Sequence, residues 1–363
     1  MTPALPWMVR RAAVLALGQG PRTHAPLASF ASAEVLRQEE GSTFEGYGAE
    51  WVDRNKPEDT EAWPRQQLHE PARHVVRLRG AGIFDDDGVI YERDSRRAVS
   101  ECLDYWDRPA SRHPALGLPR LKPAQRLSGR SAFIGGLGGQ TFYHFLLETL
   151  PQLALLREEV ALADRLLVQG YQETAKEAWL RRAGVRSPIV WVNALDHFHC
   201  DELVFCTRPT RLYEPNPWCV QAVQTLVALP GDAAPPRDLY LWADRSRSPA
   251  RPTQWAAEVA KHLPSPWQAV DFGQRTPEET LLLCRRCAVF AGLHGAAFAN
   301  LAFCPPGTRV LELYPEPNRA WYPTLSRICG HHHRVRVGEL AVDEVLVELQ
   351  RQTVPAGQPQ HAP

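Results

Sequence analysis

The sequence contains no apolar run approaching the roughly 20 residues that span a bilayer, so no integral membrane segment is expected. Arg10 and Arg11 followed by AAVLALG bear only a superficial likeness to a secretion signal, because about seven weakly apolar residues lead to no small-x-small cleavage site. An excess of one charge is missing too. The 41 Lys and Arg are balanced by 41 Asp and Glu, which leaves no gross field to attract nucleic acid, and no nucleic-acid partner is expected. Cysteine is too sparse for a disulfide scaffold. Eight thiols spread through the hydrophobic segments of 363 residues read as reduced and buried, in a cytoplasmic setting compatible with peripheral attachment to the inner face of the membrane. Nor does an intact GxGxxG follow a first strand, with an acidic residue about 20 positions on, which argues against a dinucleotide dehydrogenase.

The length suits two domains, each able to bury a core. Residues 1–70, rich in Pro, Gln, Glu and Gly, are expected to be irregular or poorly ordered. From His74, HVVRLRGAGIF, the turn DDDG and VIYERDSRRAVS predict a β-meander. A strand at Ser131–Ile134 then runs through Gly135, Gly136, Gly138 and Gly139 into a helix over Thr141–Leu156. On that helix His144 and Glu148 stand four residues apart and share a face. A first domain over 71–229 continues with alternating strands and helices. Within it His197, His199 and Cys200 superficially suggest metal ligands, but strand geometry splits them between two faces and no second cluster completes a site. Leu229–Asp238, LPGDAAPPRD, reads as a boundary with its linker at 230–238. Regular βα alternation over 239–352 predicts a parallel, doubly wound sheet, followed by a disordered tail at 353–363. Cys284 and Cys287 form a CxxC that reads as part of a core-facing helix surface, and HHHRVRV from His331 reads as the start of the last strand.

The stretch around which this half is organised is VFAGLHGAAFANLAFCPPGTRVLELYP, Val289 to Pro315. It predicts a buried strand, a turn through Gly292 and Gly295, a small-residue helix starting near His294, a Pro-Pro-Gly stop, and a second strand at Arg309–Tyr314. Glycine lets the backbone approach a ligand, Ala296, Ala297 and Ala299 keep the helix face low, and the first helical amides favour an anion such as a diphosphate. Beyond the strand ends, Asp244, Arg245, Ser246, Arg247 and Arg251 form one loop, and Glu312, Pro315 and Asn318 mark another.

HGAAFANLAFCPPGTRVLEL resembles the signature of glycosyltransferase family 61, roughly HGAGLxNLxFxPPGxxVxEL, and FYHFLLETLPQLALL at Phe142–Leu156 resembles that family's YHWLxExLPRL block. The resemblance spans roughly Val75 to Val337. It implies a GT-B architecture: two facing Rossmann-like domains, with a nucleotide-sugar in the cleft between them. The activity it implies is inverting transfer from a nucleoside-diphosphate donor, a UDP-sugar, to a hydroxyl of a glycan or other acceptor in surface polysaccharide biosynthesis. No divalent metal or other cofactor is then required. Arg245, Arg247, Gly292, His294, Gly295, Ala296 and Asn300 are expected at the donor, with Glu312 on the ribose or base. His144, Glu148 and, in DYWD, Asp104 are the candidates for the acceptor-side base. Relatives read YISR, which puts arginine at the position of Ala243, so Arg245 and Arg247 are the candidates to replace it. Two rival readings are a degenerate member that only binds glycan or nucleotide and another nucleotide-sugar enzyme, an epimerase or hydrolase.

Overall fold

The protein is described from a computed structural model, over residues 20–47, 65–85, 87–103, 109–118, 121–231, 235–246, 254–315, 320–338 and 340–353. Two compact α/β units emerge, one of Met1–Thr43 and His69–Val227, the other of Phe44–Leu68 and Ala228–Pro363.

The N-terminal part carries strands where an irregular segment was expected: β1 (Thr23–Ala25), β2 (Ala33–Glu39), β3 (Thr43–Tyr47) and β4 (Arg65–His69). The reason for the difference is their half-exposed composition. β2, AEVLRQE, has no buried residue, so its order comes from pairing with a distant strand and leaves no apolar alternation to read. β3 and β4 form a two-stranded sheet of their own.

The expected meander is present as β5 (Arg73–Phe84), β6 (Val89–Glu92) and β7 (Arg97–Val99), paired antiparallel. It does not stand apart from the layer that follows. β8 (Gln125–Ile134), β9 (Arg165–Gln169) and β10 (Ile189–Val192) are parallel neighbours, and β11 (His197–Cys206) runs parallel to β8 but antiparallel to β5. The result is one nine-stranded mixed sheet, ordered β1-β7-β6-β5-β11-β8-β9-β10 with β2 also on β5. The helices of this unit are α1 (Gln152–Leu162), α2 (Thr174–Arg182) and α3 (Pro217–Leu226).

The second unit follows the predicted alternation closely. Its strands are β12 (Leu239–Ala243), β13 (Trp267–Val270), β14 (Cys287–Leu293), β15 (Arg309–Tyr314) and β16 (His332–Val337). All are parallel, in the order β13-β12-β14-β15-β16. The helices are α4 (Gln254–Lys261), α5 (Pro277–Arg285), α6 (Trp321–Cys329) and α7 (Val342–Arg351). Strand residues alternate between two cores. Trp242, Val289, Ala291 and Leu311 pack with Val259 of α4 and with Val345 and Leu349 of α7. Phe290 instead meets Phe298, which meets Tyr322 of α6.

The connection from β14 to β15 is an eight-residue 3₁₀ helix, Ala296–Phe303, where an α-helix from His294 was expected. A 3₁₀ coil rises about 2.0 Å per residue against 1.5 Å, so it spans the gap with fewer residues before Pro305 and Pro306 end it. All eight cysteines are free thiols, seven buried and Cys329 half-buried. Cys284 lies on α5 but Cys287 opens β14, so the CxxC does not sit on one helix. Among the described residues no helix is long and apolar enough to cross a membrane.

Candidate active site

In an open parallel sheet, ligands bind beyond the carboxyl ends of the strands, where the strand order reverses. Here the reversal lies between β12 and β14, with Ala243 paired to Gly292 at its end. A Cβ on Gly292 would lie 3.0 Å from that of Ala243, so glycine lets the strands close at this point. The turn from Leu293 to Ala297 is half-buried, whereas Phe298–Phe303 behind it are buried. The first amides of a helix lack partners within it, and here they belong to small residues in this accessible turn.

Arg245, leaving β12, donates from Nη1 to the carbonyl of His294. Its guanidinium lies over Gly295, where a Cβ would come within 2.7 Å of Nη1. Gly295 is fully extended, with φ 166°, so this position requires room and not a special dihedral. Asp244 steadies the loop by accepting from the Ser246 amide at 2.9 Å and the Ser246 hydroxyl at 2.8 Å. Of the two arginines that could replace one at position 243, Arg245 reaches the turn. Arg247 lies outside the described residues, as do Arg251 and Asn318.

His294 is held from three sides. Its amide donates to Leu313 at 2.8 Å, its ring stacks on Tyr314 with centroids 3.7 Å apart at 7°, and Nδ1 bonds Glu312 Oε1. Glu312 is fully buried, and its other oxygen is 3.0 Å from His333 Nε2. Burial would raise its pKa, but the imidazoles of His294 and His333 outweigh that and hold it down to about 2. The charge in turn helps burial keep the Tyr322 hydroxyl protonated well above its ordinary range. Glu312 therefore meets His294 from behind, with both of its oxygens on imidazoles. Asn300 is also turned inward. It is buried, with Nδ2 donating 2.9 Å to the Ala297 carbonyl, and so belongs to the helix interior.

A second cluster forms in the first unit, at the carboxyl ends of the parallel neighbours β8 and β11. The predicted continuous helix is broken here into an α-turn, Phe142–His144, and a π-turn, Phe145–Thr149, in which the Leu150 amide reaches the Phe145 carbonyl at 2.8 Å. Pro151 explains the widening: it has no amide to donate, and its ring would crowd the carbonyl four residues back. His144 Nδ1 lies 2.8 Å from Glu148 Oε2, and the pair is nearly buried. The other Glu148 oxygen accepts the Tyr213 amide at 2.9 Å, while the Tyr213 ring sits edge-on to His144 at 4.6 Å. Gly138 adopts φ +83°, and a Cβ there would come within 2.7 Å of the His144 ring. Of the other loop glycines, Gly135 is pinned by a buried amide, Gln152 bonding both its backbone groups at 2.8 and 3.1 Å.

Sequence reasoning missed Tyr213, whose φ of +66° is unusual for a bulky residue, and Arg208, which donates to the carbonyls of Cys102 at 2.9 Å and Gly135 at 3.4 Å. Neither carried a local signal, because each acts across a long sequence separation. It also missed His333, which was read only as the start of a strand. Asp104 lies outside the described residues. His197 and His199 do share one face of β11, and both meet the Tyr91 hydroxyl, at 2.5 and 3.1 Å. Burial lowers both, His199 to about 4. Among the described residues no group of three or more His, Cys, Asp or Glu side chains is arranged to hold a metal ion.

Fold and site thus define an α/β protein with a basic, small-residue turn at a strand-order reversal. A model of the family Glycosyltransferase 61 matches residues 142–311, a stretch that holds both clusters up to the threshold of Glu312. Over that stretch the chain is similar to glycosyltransferase family 61, whose activity in general joins a sugar donor to an acceptor. None of the curated proteins compared with it matches.

Proposed function

We propose that the protein transfers a sugar from a nucleoside-diphosphate donor, a UDP-sugar, to a hydroxyl of a glycan or similar acceptor, with inversion at the anomeric carbon. The observation that carries this reading is the meeting of Arg245, His294 and the Gly295–Ala297 turn at the strand-order reversal, inside the stretch similar to a family of glycosyltransferases. The bond from the anomeric carbon to the diphosphate breaks as the bond to the acceptor oxygen forms. The departing diphosphate gains negative charge, which the Arg245 guanidinium, His294 and the helix start are suited to receive. The acceptor proton passes to a base. His144, with Glu148 Oε2 2.8 Å from its Nδ1 and the Tyr213 ring edge-on to it, supplies an imidazole for that role, with Asp104 the other candidate.

The reading includes a GT-B plan in which the second unit is the donor half and the first the acceptor half. It needs no divalent metal, since side chains and backbone amides supply the positive charge. It places the enzyme in surface polysaccharide biosynthesis, in the cytoplasm or peripheral to the inner membrane face. Ala243, where relatives carry arginine, favours the rival reading of a member that binds without transferring. Arg245 at the same turn favours transfer.

The test is incubation with a panel of nucleotide sugars and glycan acceptors, followed by mass spectrometry. A mass gain on the acceptor with release of nucleoside diphosphate is expected. Conversion of the donor alone would instead indicate an epimerase or hydrolase, and binding with no product a degenerate member.

A further inference from the structure

The polar chain behind His294 runs past the stretch matched to the family, which ends at Leu311. Glu312 Oε2 is 3.0 Å from His333 Nε2, and His333 Nδ1 is 2.7 Å from the Ser326 hydroxyl. His333 and Ser326 are both buried, one on β16 and the other on α6, so two further elements converge on one carboxylate. A buried carboxylate is costly unless its oxygens are paired. As an ionised acceptor, Glu312 requires an N–H from each ring, from His333 through Nε2 and from His294 through Nδ1. The Ser326 hydroxyl then donates to His333 Nδ1. That order assigns both tautomers and leaves Nε2 of His294 as the nitrogen turned away from the carboxylate.

We infer that His333 and Ser326 are positioning residues for the donor: they lock Glu312, and through it His294, so that His294 Nε2 is presented to the diphosphate. This rests on the nucleoside-diphosphate reading of the same turn. When His294 takes up a second proton, Nε2 donates to a phosphate oxygen and Glu312 balances the charge. The groups facing His294 are Glu312 and Tyr314 from β15, Trp321 and Tyr322 from α6, and Arg245 from the loop after β12.

The experiment is calorimetric titration with UDP between pH 6 and 8, on the full chain and on His333→Leu, His333→Gln, Ser326→Ala and His294→Ala, with ¹⁵N imidazole spectra of the unsubstituted protein. His333→Leu should weaken UDP binding about tenfold and alter its pH dependence, as loss of a residue that orients a ligand group does. His333→Gln, which retains an N–H for Glu312, should restore most of the affinity, and Ser326→Ala should cost about two- to threefold. The spectra should show His333 protonated on Nε2 and His294 on Nδ1. If His294→Ala abolishes binding while His333→Leu matches the unsubstituted protein in affinity and pH profile, the positioning role is overturned. The opposite His333 tautomer overturns it too, and decides the matter if His333→Leu does not fold. If no nucleoside diphosphate binds the unsubstituted protein, the donor reading falls and this role with it, whereas a failure confined to the His333 variants and the spectra leaves the donor reading standing.

Discussion

Each unit contains a histidine–glutamate pair, and the two are built in opposite ways. His144 and Glu148 are one turn apart on a single helical segment, with the glutamate also clasped by a backbone amide. His294 and Glu312 come from the ends of adjacent parallel strands, 18 residues apart, with a second imidazole on the far oxygen. A helical pair announces its partner by spacing alone. A cross-strand pair exists only once the register of β14 on β15 sets Gly292 opposite Glu312. The difference also divides the chemistry: a nearly buried pair clasped by a loop suits a proton acceptor, and one beside an arginine and a small-residue turn suits a phosphate.

The sharpest test of that division is a pair of substitutions. His144→Ala should lower the turnover of transfer about 10²- to 10⁴-fold, the usual worth of a positioned base, with UDP affinity unchanged. Arg245→Ala should do the reverse in part, weakening UDP binding about 10- to 100-fold by removing charged hydrogen bonds. Steady-state kinetics and calorimetry separate the two, and an equal effect of both on UDP affinity would break the comparison.

Removing the carboxylates should separate the pairs by stability. Glu312→Ala strips a fully buried charge from two imidazoles and should destabilise the fold by about 3–5 kcal/mol in urea titration. Glu148→Ala, which leaves the Tyr213 amide without its acceptor and removes the carboxylate 2.8 Å from His144 Nδ1, should cost about 1–3 kcal/mol. The acid limb has a definite sign. Because Glu312 is held down to about 2, the folded state resists its protonation. Its contribution is complete above the ordinary carboxylate range and is lost as pH falls from there through about 2. Glu312→Gln should remove that part of the acid dependence, read as the gap between the two unfolding curves narrowing as the solution is acidified.

The glycines give the smallest and finest contrast. Gly138→Ala meets both a left-handed backbone and the His144 ring, so about 1–3 kcal/mol of stability should be lost along with transfer activity. Gly295→Ala meets only the movable end of Arg245 in an extended backbone. Its melting temperature should hold, while UDP affinity drops roughly threefold as the guanidinium is pushed aside.

Much of the second unit was legible from the chain. Its three central strands are largely buried and its helices amphipathic, so the periodicity changes visibly at each boundary, and the Gly-rich turn after β14 marked itself. The first unit was legible only in pieces. The pairing of β5 with β11 unites residues more than 100 positions apart, and edge strands such as β2 lack the apolar alternation that would have revealed them. At the sites, spacing and motif pointed to Arg245, His294, His144 and Glu148. The enclosure of Glu312 between two imidazoles, and the contacts of His333, Tyr213 and Arg208, were not visible there, because burial and partners across the fold decide what a polar side chain meets.

The sequence by itself determined the alternation of elements, the small-residue turn and the helical His–Glu spacing, since each depends on neighbours within a few residues and on backbone preferences that act locally. Only the tertiary structure decided that Glu312 would be enclosed between two imidazoles and that Arg245 would rest on Gly295. Those outcomes depend on register, desolvation and packing between distant segments, which have no local signature until the sheets are assembled.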